Sequence, residues 1–191
     1  MSKALKNGRR LDLSGAVSVR IVDIDSISTI RKLKYESYMR LNAEYASDCE
    51  TAAFTDELES SKYTEELYST ISKRQVYGAF LENRMVAIAA WSDVHEGQPL
   101  SRLDFLFVDP FFTRCGVGTK LLDTIECLVT SKHSREFSIL TVMPSIGFFE
   151  KASYCTTSYG ALPLSHDSAF EVAFMKKSEF SKHRVLSLLT H

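Results

Sequence analysis

"FFTRCGVGTK" (residues 111–120) places two glycines in a short bend between two apolar segments. The segment before it, "RLDFLFVDP" (102–110), is typical of a long strand that Pro110 stops. The segment after it repeats apolar residues with helical spacing from Val117 to about Lys132. Glycines in such a bend let backbone N–H groups converge on a ligand, and the helix start adds unpaired donors and positive dipole charge. The bend therefore predicts a site for phosphate or pyrophosphate.

The spacing of the two glycines excludes the best-known phosphate loops. A Walker loop requires GxxxxGK[ST], and "GVGTK" (116–120) does not supply that pattern. The dinucleotide fingerprint GxGxxG requires a third glycine where Leu121 stands. A glycine pair alone also occurs in ordinary turns that enter helices, so the surrounding sequence has to identify the ligand.

Composition bounds the class of protein. The chain has 191 residues, a size expected of one domain, with 45% hydrophobic and 25% charged residues. A formal net charge of -1 favours neither nucleic acid nor an anionic membrane as a partner. The longest apolar runs, such as "VAIAAW" (86–91), are too short to span a bilayer, and the N-terminus lacks the apolar core of a secretion signal. The four cysteines form no CxxC pair and no metal-ligand spacing, so we expect a cytoplasmic protein with reduced thiols and no metal.

The order of predicted elements indicates an α/β fold with a mixed central sheet of about six or seven strands flanked by helices. Residues 1–16 are expected to form a flexible N-terminal lead-in, and residues 17–191 a single domain. Strands are predicted over 17–24, 75–83, 84–93, 102–110, 137–142 and 171–177. Helices are predicted from a cap at Asp25 or Ser26 to about Arg40, and over 51–73, 117–132 and 145–154, with 178–191 a helix or tail. In the first helix, one face is expected to carry Ile27, Ile30, Leu33, Tyr38 and Leu41. In the second helical region, the buried positions are expected to be Leu58, Tyr63, Leu67, Tyr68 and Ile71.

The stretch "LDFLFVDPFFTRCGVGTKLLDTI" (103–125) resembles motif A of the GCN5-related N-acetyltransferases, the GNAT family. That pattern is a strand ending in Val, a Pro two residues on, and then Q/R-x-x-G-x-G/A opening a helix. The sequence departs from it at Thr113, where Gln or Arg is usual. The later stretch "FSILTVMPSIGFFEKASY" (137–154) is similar to the family's next block. The resemblance covers roughly residues 17–177, and its specific motifs lie within 102–154.

The resemblance implies a GNAT fold that uses acetyl-CoA as co-substrate. It implies that the main chain of Leu106, Phe107 and Val108 holds the thioester arm. It also implies that the following bend cradles the pyrophosphate through Thr113, Arg114, Cys115, Gly116, Val117, Gly118 and Thr119. Phe149, in the later block, is expected to contact the same ligand. The side chain of Cys115 is expected to point away from it, although helix dipoles depress thiol pKa values and leave a nucleophilic role open.

Acetyl transfer to an amine requires a group that removes a proton. An alkyl amine has a pKa of about 10.4, so only a small fraction is unprotonated at neutral pH. Asp104 is the first candidate base, because strand alternation puts it on the same side as Leu106 and Val108. The structural alternative is an ion pair of Asp104 with Arg102 or Arg20. Glu96 and His95, on the preceding loop, are further candidates.

The group that protonates the departing thiolate is harder to assign. The resembled family often has a Tyr where this sequence has Phe149, and Phe donates no proton. Tyr154 is one substitute; the alternatives are unassisted departure of the thiolate or weak activity. The Asn that the family often places between Val142 and Phe148 also has no clear equivalent. These departures bear on catalysis more than on binding of the co-substrate.

The acceptor is expected to be a small primary amine, with no nucleic acid or membrane as partner. Residues 44–66 hold eight acidic residues and one base, Lys62, which would attract a cationic amine or merely form a solvated helix face. Aromatic residues of the same region could line a pocket or fill the core. Two other functions fit the resemblance: an N-acyltransferase that transfers longer acyl chains, and a catalytically weak regulator that binds CoA. A homodimer is also compatible with the resemblance.

Overall fold

The computed structural model describes residues 5–6, 9–41, 46–93, 100–130, 136–165 and 168–178. The strands in these ranges are β1 Leu5–Lys6, β2 Arg9–Arg10, β3 Val17–Ile21, β4 Val76–Leu81, β5 Arg84–Asp93, β6 Leu100–Val108, β7 Glu136–Val142, β8 Cys155–Ser165 and β9 Ser168–Ser178. The helices are α1 Ile27–Leu41, α2 Asp48–Glu59, α3 Ser61–Ser72, α4 Val117–Thr130 and α5 Ile146–Lys151. Short 3-10 turns cover Ile24–Ser26, Pro110–Phe112 and Met143–Ser145.

Seven strands form one mixed sheet in the order β3-β4-β5-β6-β7-β9-β8. β6 and β7 pair in parallel, with Leu100–Leu103 opposite Glu136–Ile139. The ladders β3–β4, β4–β5, β7–β9 and β8–β9 are antiparallel. β1 and β2 pair with each other in a separate ladder. The predicted α/β class with a mixed sheet of six or seven strands flanked by helices is confirmed.

Two segments differ from the sequence prediction. The helical region predicted over 51–73 is two helices, because Ser60 has an extended backbone and its side chain accepts a hydrogen bond from Tyr63 N at 3.0 Å. That bond satisfies a free donor of the first turn of α3. The sequence prediction placed no definite strand at Cys155–Ser165, where β8 lies. Beyond Ser178, the predicted C-terminal helix or tail lies outside the described residues.

The first compact unit contains the described residues between Met1 and Trp91 and between Phe105 and Ile125. Its core joins apolar side chains of α1, α3, β4 and β5, with Phe105 and Phe107 packed against them. Trp91 is buried, as an apolar core position requires. Tyr68 was wrongly predicted as buried, because it is 51% exposed; Leu41, at the last position of α1, is 43% exposed. The buried residues of the cluster are Val22, Ile30, Leu33, Leu67, Ile71, Val76, Phe80, Met85, Ile88 and Ala90.

The second compact unit contains the described residues from Ser92 to Asp104 and from Glu126 onward. A buried polar network lies in it. Lys177 Nζ is 2.5 Å from Glu126 Oε2, and Tyr154 Oη donates to Glu126 Oε1 at 3.0 Å. Burial raises the pKa of Tyr154, and the neighbouring Glu126 charge raises it further. The buried charges and hydrogen-bonding groups of these three side chains therefore pair with one another and not with water.

We expect Lys177→Met to lower the free energy of unfolding by about 3–5 kcal/mol, because Glu126 would keep a buried charge without its cation. Urea unfolding followed by circular dichroism measures the loss. Glu126→Gln combined with Lys177→Met removes both charges and leaves an acceptor for Tyr154, so it is expected to recover most of the stability. Lys176→Met, on the exposed side of the same strand, is the control and should change stability by less than about 0.5 kcal/mol. A Lys177→Met protein as stable as the control would contradict the pairing.

Candidate active site

The bend after β6 is anchored by the buried carboxylate of Asp109. Asp109 Oδ1 accepts a hydrogen bond from Phe111 N at 2.9 Å, and Oδ2 accepts one from Arg84 Nη2 at 2.6 Å. The amide of Asp109 donates to Val86 O at 2.8 Å, which joins the end of β6 to β5. These bonds fix the direction in which the chain leaves the sheet and begins its turn.

The glycine bend itself contains two residues in the left-handed backbone region. Arg114 has φ 59° and Gly116 has φ 77°, and α4 begins directly afterwards. Lys120 N donates to Gly116 O at 2.9 Å, so the amides of residues 117–119 are the first-turn donors without an intrahelical acceptor. Turns of this kind gather successive N–H groups into a concavity that suits an anion, and the helix dipole adds positive charge.

The inner side of the bend is packed against the N-terminal segment. Leu13 N donates to Cys115 O at 2.8 Å. The Cys115 side chain is buried, with its Sγ 3.6 Å from Thr113 O. A Cβ added to Gly116 would lie 2.5 Å from Asp12 Oδ1. The left-handed backbone of Gly116 favours glycine, and an added Cβ would also displace the Asp12 carboxylate, which accepts a hydrogen bond from Ser14 N.

The last residues of β6 are partly exposed. Leu106, Phe107 and Val108 are each partly exposed. Asp104 is exposed as a residue although its side chain is only 24% exposed, so its main chain faces solvent. Asp104 directly follows Leu103, the last residue of the ladder with β7. The residues to which the resemblance assigns the thioester arm are thus partly open to solvent.

The candidate base Asp104 has two polar neighbours. Arg102 Nε donates to Asp104 Oδ1 at 2.7 Å, and Ser92 Oγ donates to the same oxygen at 3.0 Å. The ion pair that the sequence left open is therefore made with Arg102, whereas Arg20 stacks over the Phe80 ring at 3.9 Å. The catalytic role of Asp104 stays a prediction. The other candidates, Glu96 and His95, lie outside the described residues.

Phe149 and Tyr154 contact each other in the second unit. Their rings meet edge to face with centroids 5.5 Å apart, and both residues are buried. The Tyr154 hydroxyl donates to Glu126, and the raised pKa of Tyr154 means that it holds its proton firmly. The predicted roles of Tyr154 as proton donor and of Phe149 as ligand contact stay predictions.

The sequence prediction missed a buried lysine on α1. Lys34 is 7% exposed, and its Nζ lies 4.3 Å from the ring centroid of Phe105, 4.7 Å from that of Tyr63 and 5.1 Å from that of Phe107. Burial lowers the pKa of Lys34 to about 8, and the charge of Glu57 on α2 opposes that change in part. A sequence signal existed, because Lys34 stands four residues after Ile30 on the apolar side of the helix.

Two further buried donors belong to Tyr63, whose ring contacts Lys34, and to Arg31, whose Cζ lies 6.0 Å from the centroid of the same ring. Tyr63 Oη and Arg31 Nε are buried, and neither has a hydrogen-bond partner among the described residues. Arg31 Nη2 donates to Thr64 Oγ1 and, at 3.5 Å, to Ser60 O. Burial raises the pKa of Tyr63, so its hydroxyl stays a donor. We call Arg31, Lys34 and Tyr63 the donor cluster.

Comparison with known proteins identifies the family. No curated protein matches the sequence. The sequence model of the acetyltransferase (GNAT) family matches residues 38–154, more than half of the chain. The chain belongs to the GNAT family. It is accordingly an acyltransferase, and the general reaction is transfer of an acetyl group from acetyl-CoA.

Solved GNAT structures share this fold. A GCN5-related N-acetyltransferase from Rhodopseudomonas palustris is similar with a TM-score of 0.72 and 19% identity, covering 84% of this chain and 94% of that one. The PaiA N-acetyltransferase from Thermoplasma acidophilum, in complex with coenzyme A, has a TM-score of 0.65 and 18% identity, covering 85% and 98%. YncA, a putative acetyltransferase from Salmonella typhimurium with acetyl-CoA, has a TM-score of 0.61 and 12% identity, covering 85% and 94%. The family match spans residues of both compact units.

The described residues contain neither a helix suited to cross a membrane nor a cluster suited to a metal ion. None of the helices they form combines the length and apolar composition that crossing a membrane requires. Within the same ranges, no group of three or more His, Cys, Asp or Glu residues is placed to hold a metal ion. All four cysteines are free, and only Cys115 is buried.

We expect Gly116→Ala to weaken binding of coenzyme A by at least about tenfold. A left-handed alanine costs roughly 1–2 kcal/mol, and the new Cβ would also displace Asp12, so the amides of the bend would shift. Isothermal titration calorimetry measures the affinity. Gly15→Ala is the matched control, because a Cβ there meets nothing within 4 Å and Gly15 has no left-handed backbone. Equal affinities for the two variants would contradict this assignment of the bend.

We expect Lys34→Met to leave stability unchanged or to raise it at neutral pH, because it removes a buried charge. The pKa of Lys34 is about 8 when folded against 10.5 ordinarily, so the unfolded state binds more protons in that window. As the pH rises from about 8 to about 10.5, the free energy of unfolding of the wild type should therefore increase relative to that of the variant, by roughly 3 kcal/mol in total. Urea unfolding across the window measures the difference. Lys32→Met, at an exposed position of α1, should show no such trend, and a pH-independent difference for Lys34→Met would contradict the buried charge.

Proposed function

We propose that this GNAT protein transfers the acetyl group of acetyl-CoA to the primary amine of a small acceptor that carries positive charge. The observation that carries the proposal is the glycine bend, in which two left-handed residues precede the free first-turn amides of α4. A diphosphate requires several such donors at once, because each contact of an anion with a helix end contributes only about 0.3–1 kcal/mol.

The residues of the bend fit the diphosphate of coenzyme A. Arg114 and Thr119 are exposed, and Gly118 is partly exposed, so a ligand can reach this part of the chain. Thr113, Cys115, Gly116 and Val117 would take part through their main chain. Leu106, Phe107 and Val108 would hold the thioester arm in the same way, and Phe149 would add an apolar contact. The coenzyme A and acetyl-CoA bound to PaiA and YncA support this choice of ligand.

The acceptor must lose a proton before or while its nitrogen forms the new bond. Asp104 is the proposed base, and Arg102 and Ser92 orient its carboxylate through Oδ1. Acetyl-CoA supplies a thioester whose C–S bond breaks as the C–N bond forms, and its thiolate leaves. Phe149 donates no proton, and the Tyr154 hydroxyl is bonded to Glu126, so unassisted departure of the thiolate fits these side chains better than proton donation.

The charge of α2 and α3 supports a cationic acceptor. These helices carry seven acidic residues and one lysine in their described sequence, and Lys62 pairs with Glu66 at 3.9 Å. Glu50 instead caps α2 by accepting hydrogen bonds from Ser47. The remaining carboxylates would raise the local concentration of an amine that carries an ammonium group. The seven residues are Asp48, Glu50, Asp56, Glu57, Glu59, Glu65 and Glu66.

Release of the CoA thiol from acetyl-CoA, measured with a panel of polyamines, amino sugars and amino acids, tests the function. We expect acetyl-CoA to be consumed faster with at least one of these amines than without any. Faster turnover of longer acyl-CoA thioesters would instead identify an N-acyltransferase. Tight binding of CoA with no turnover of any amine would overturn the proposal in favour of a regulatory module.

We expect Asp104→Asn to lower kcat by about 10²–10⁴-fold, the usual contribution of a positioned base. Its affinity for CoA should change by less than about twofold, because the carboxylate does not belong to the bend. Asp93→Asn is the control, since Asp93 accepts a hydrogen bond from Ser101 at 3.1 Å and has no proposed role in proton transfer. Full activity of Asp104→Asn together with a large loss in Glu96→Gln would move the base to the loop.

A further inference from the structure

We propose that Lys34 and Tyr63 bind a carboxylate of the acceptor, so that the acceptor is a zwitterionic amine such as an α-amino acid. The inference rests on the proposed function, because it names the class of amine that the acetyl group reaches. It arises from the donor cluster, which the acetyl-CoA site does not use.

Lys34 is a buried cation without a carboxylate at ion-pair distance among the described residues. Aromatic ring faces stabilise its ammonium group, but they replace only part of the hydration that burial removes. Its three N–H donors require oxygen acceptors. Glu57, whose charge acts on Lys34, is exposed and lies beyond ion-pair distance.

The chemistry of the neighbouring groups selects the ligand. Tyr63 Oη is a buried donor that lacks a partner among the described residues, and its ring is one of those that contact Lys34 Nζ. A carboxylate offers two oxygens, one for the ammonium and one for the phenol, and also compensates the charge. An amide or hydroxyl group would accept hydrogen bonds but would leave the buried charge without a counterion.

The cluster also lies against the relevant part of β6. Phe105 and Phe107, whose rings contact Lys34, stand on either side of Leu106, whose main chain is proposed to hold the thioester arm. A carboxylate bound at Lys34 would therefore place the rest of a small acceptor beside that strand. The same rings would give the acceptor's side chain an apolar surface. The carboxylates on α2 and α3 would attract the ammonium group of the same molecule.

Matched acceptors test the inference by turnover. L-leucine and L-phenylalanine are compared with L-leucinamide and L-phenylalaninamide, which keep the amine and the side chain but lack the carboxylate. We expect the wild type to prefer the acids by at least about tenfold in kcat/KM, as sites built for a charged group do. Lys34→Met should abolish that preference by losing activity on the acids while keeping it on the amides. Tyr63→Phe should reduce the preference, and Lys32→Met should leave it unchanged.

A second measurement does not depend on turnover. Lysine labelled with ¹³C beside Nζ reports the pKa of Lys34 by NMR in the protein saturated with CoA. We expect L-leucine to raise that pKa above about 8, because a carboxylate stabilises the ammonium form, and L-leucinamide to leave it unchanged.

The outcomes separate this inference from the proposed function. Acetylation of amines without preference for acids, or a preference that survives in Lys34→Met, would overturn the carboxylate site and leave the acetyltransferase intact. An unchanged Lys34 pKa in the presence of L-leucine would do the same. A raised pKa without acetylation of any amine would support carboxylate binding while the proposed function fails.

Discussion

The change of direction between β6 and α4 is the constraint on which the rest of this molecule depends. The strand must end, turn through a few residues and start a helix with its first amides aimed at one place. The buried Asp109 carboxylate meets the first demand by binding Phe111 N and Arg84 at once. Left-handed backbone at Arg114 and Gly116 meets the second. The proposed site binds its ligand through main-chain amides, so it places no demand on the side chain of Cys115, which is buried.

Local features of this kind were open to prediction from sequence. A strand ended by Pro110, a helix beginning at Val117 and glycines between them are encoded within a few neighbouring residues. β8 was not, because Gly160 and Pro163 within it indicate a break. The sheet order places β8 at an edge, where a proline lacking its N–H is tolerated. The break at Ser60 was also missed. A serine between two helical patterns does not by itself mark the start of a helix, and here the hydrogen bond from Tyr63 N to Ser60 Oγ in the structure identifies the cap.

The candidate site divides in the same way. Its proposed main-chain part follows a motif, so the sequence can name candidate residues for it, whereas its side-chain part depends on contacts between distant segments. The sequence marks Asp104 as an unusual carboxylate within an apolar strand, but it does not choose between Arg102 and Arg20 as the partner, and the structure shows Arg102. Lys34 occupies the apolar stripe of α1, yet a lysine at such a position normally extends its ammonium to water. Only the packing of Phe105 and Phe107 against it shows a buried charge.

Two kinds of charge thus bear on the acceptor, and they act over different distances. The carboxylates of α2 and α3 include exposed side chains, whose influence fades over a Debye length of about 8 Å in physiological salt. They favour encounter with ammonium groups but discriminate weakly among amines. Lys34 is buried. A Coulomb interaction in the protein interior is several times stronger than the same interaction in water. If both act on one molecule, the surface selects for an amine and the interior selects for the carboxylate that accompanies it. A simple polyamine would satisfy only the first requirement, and it would bring further positive charge towards a lysine that already lacks a counterion.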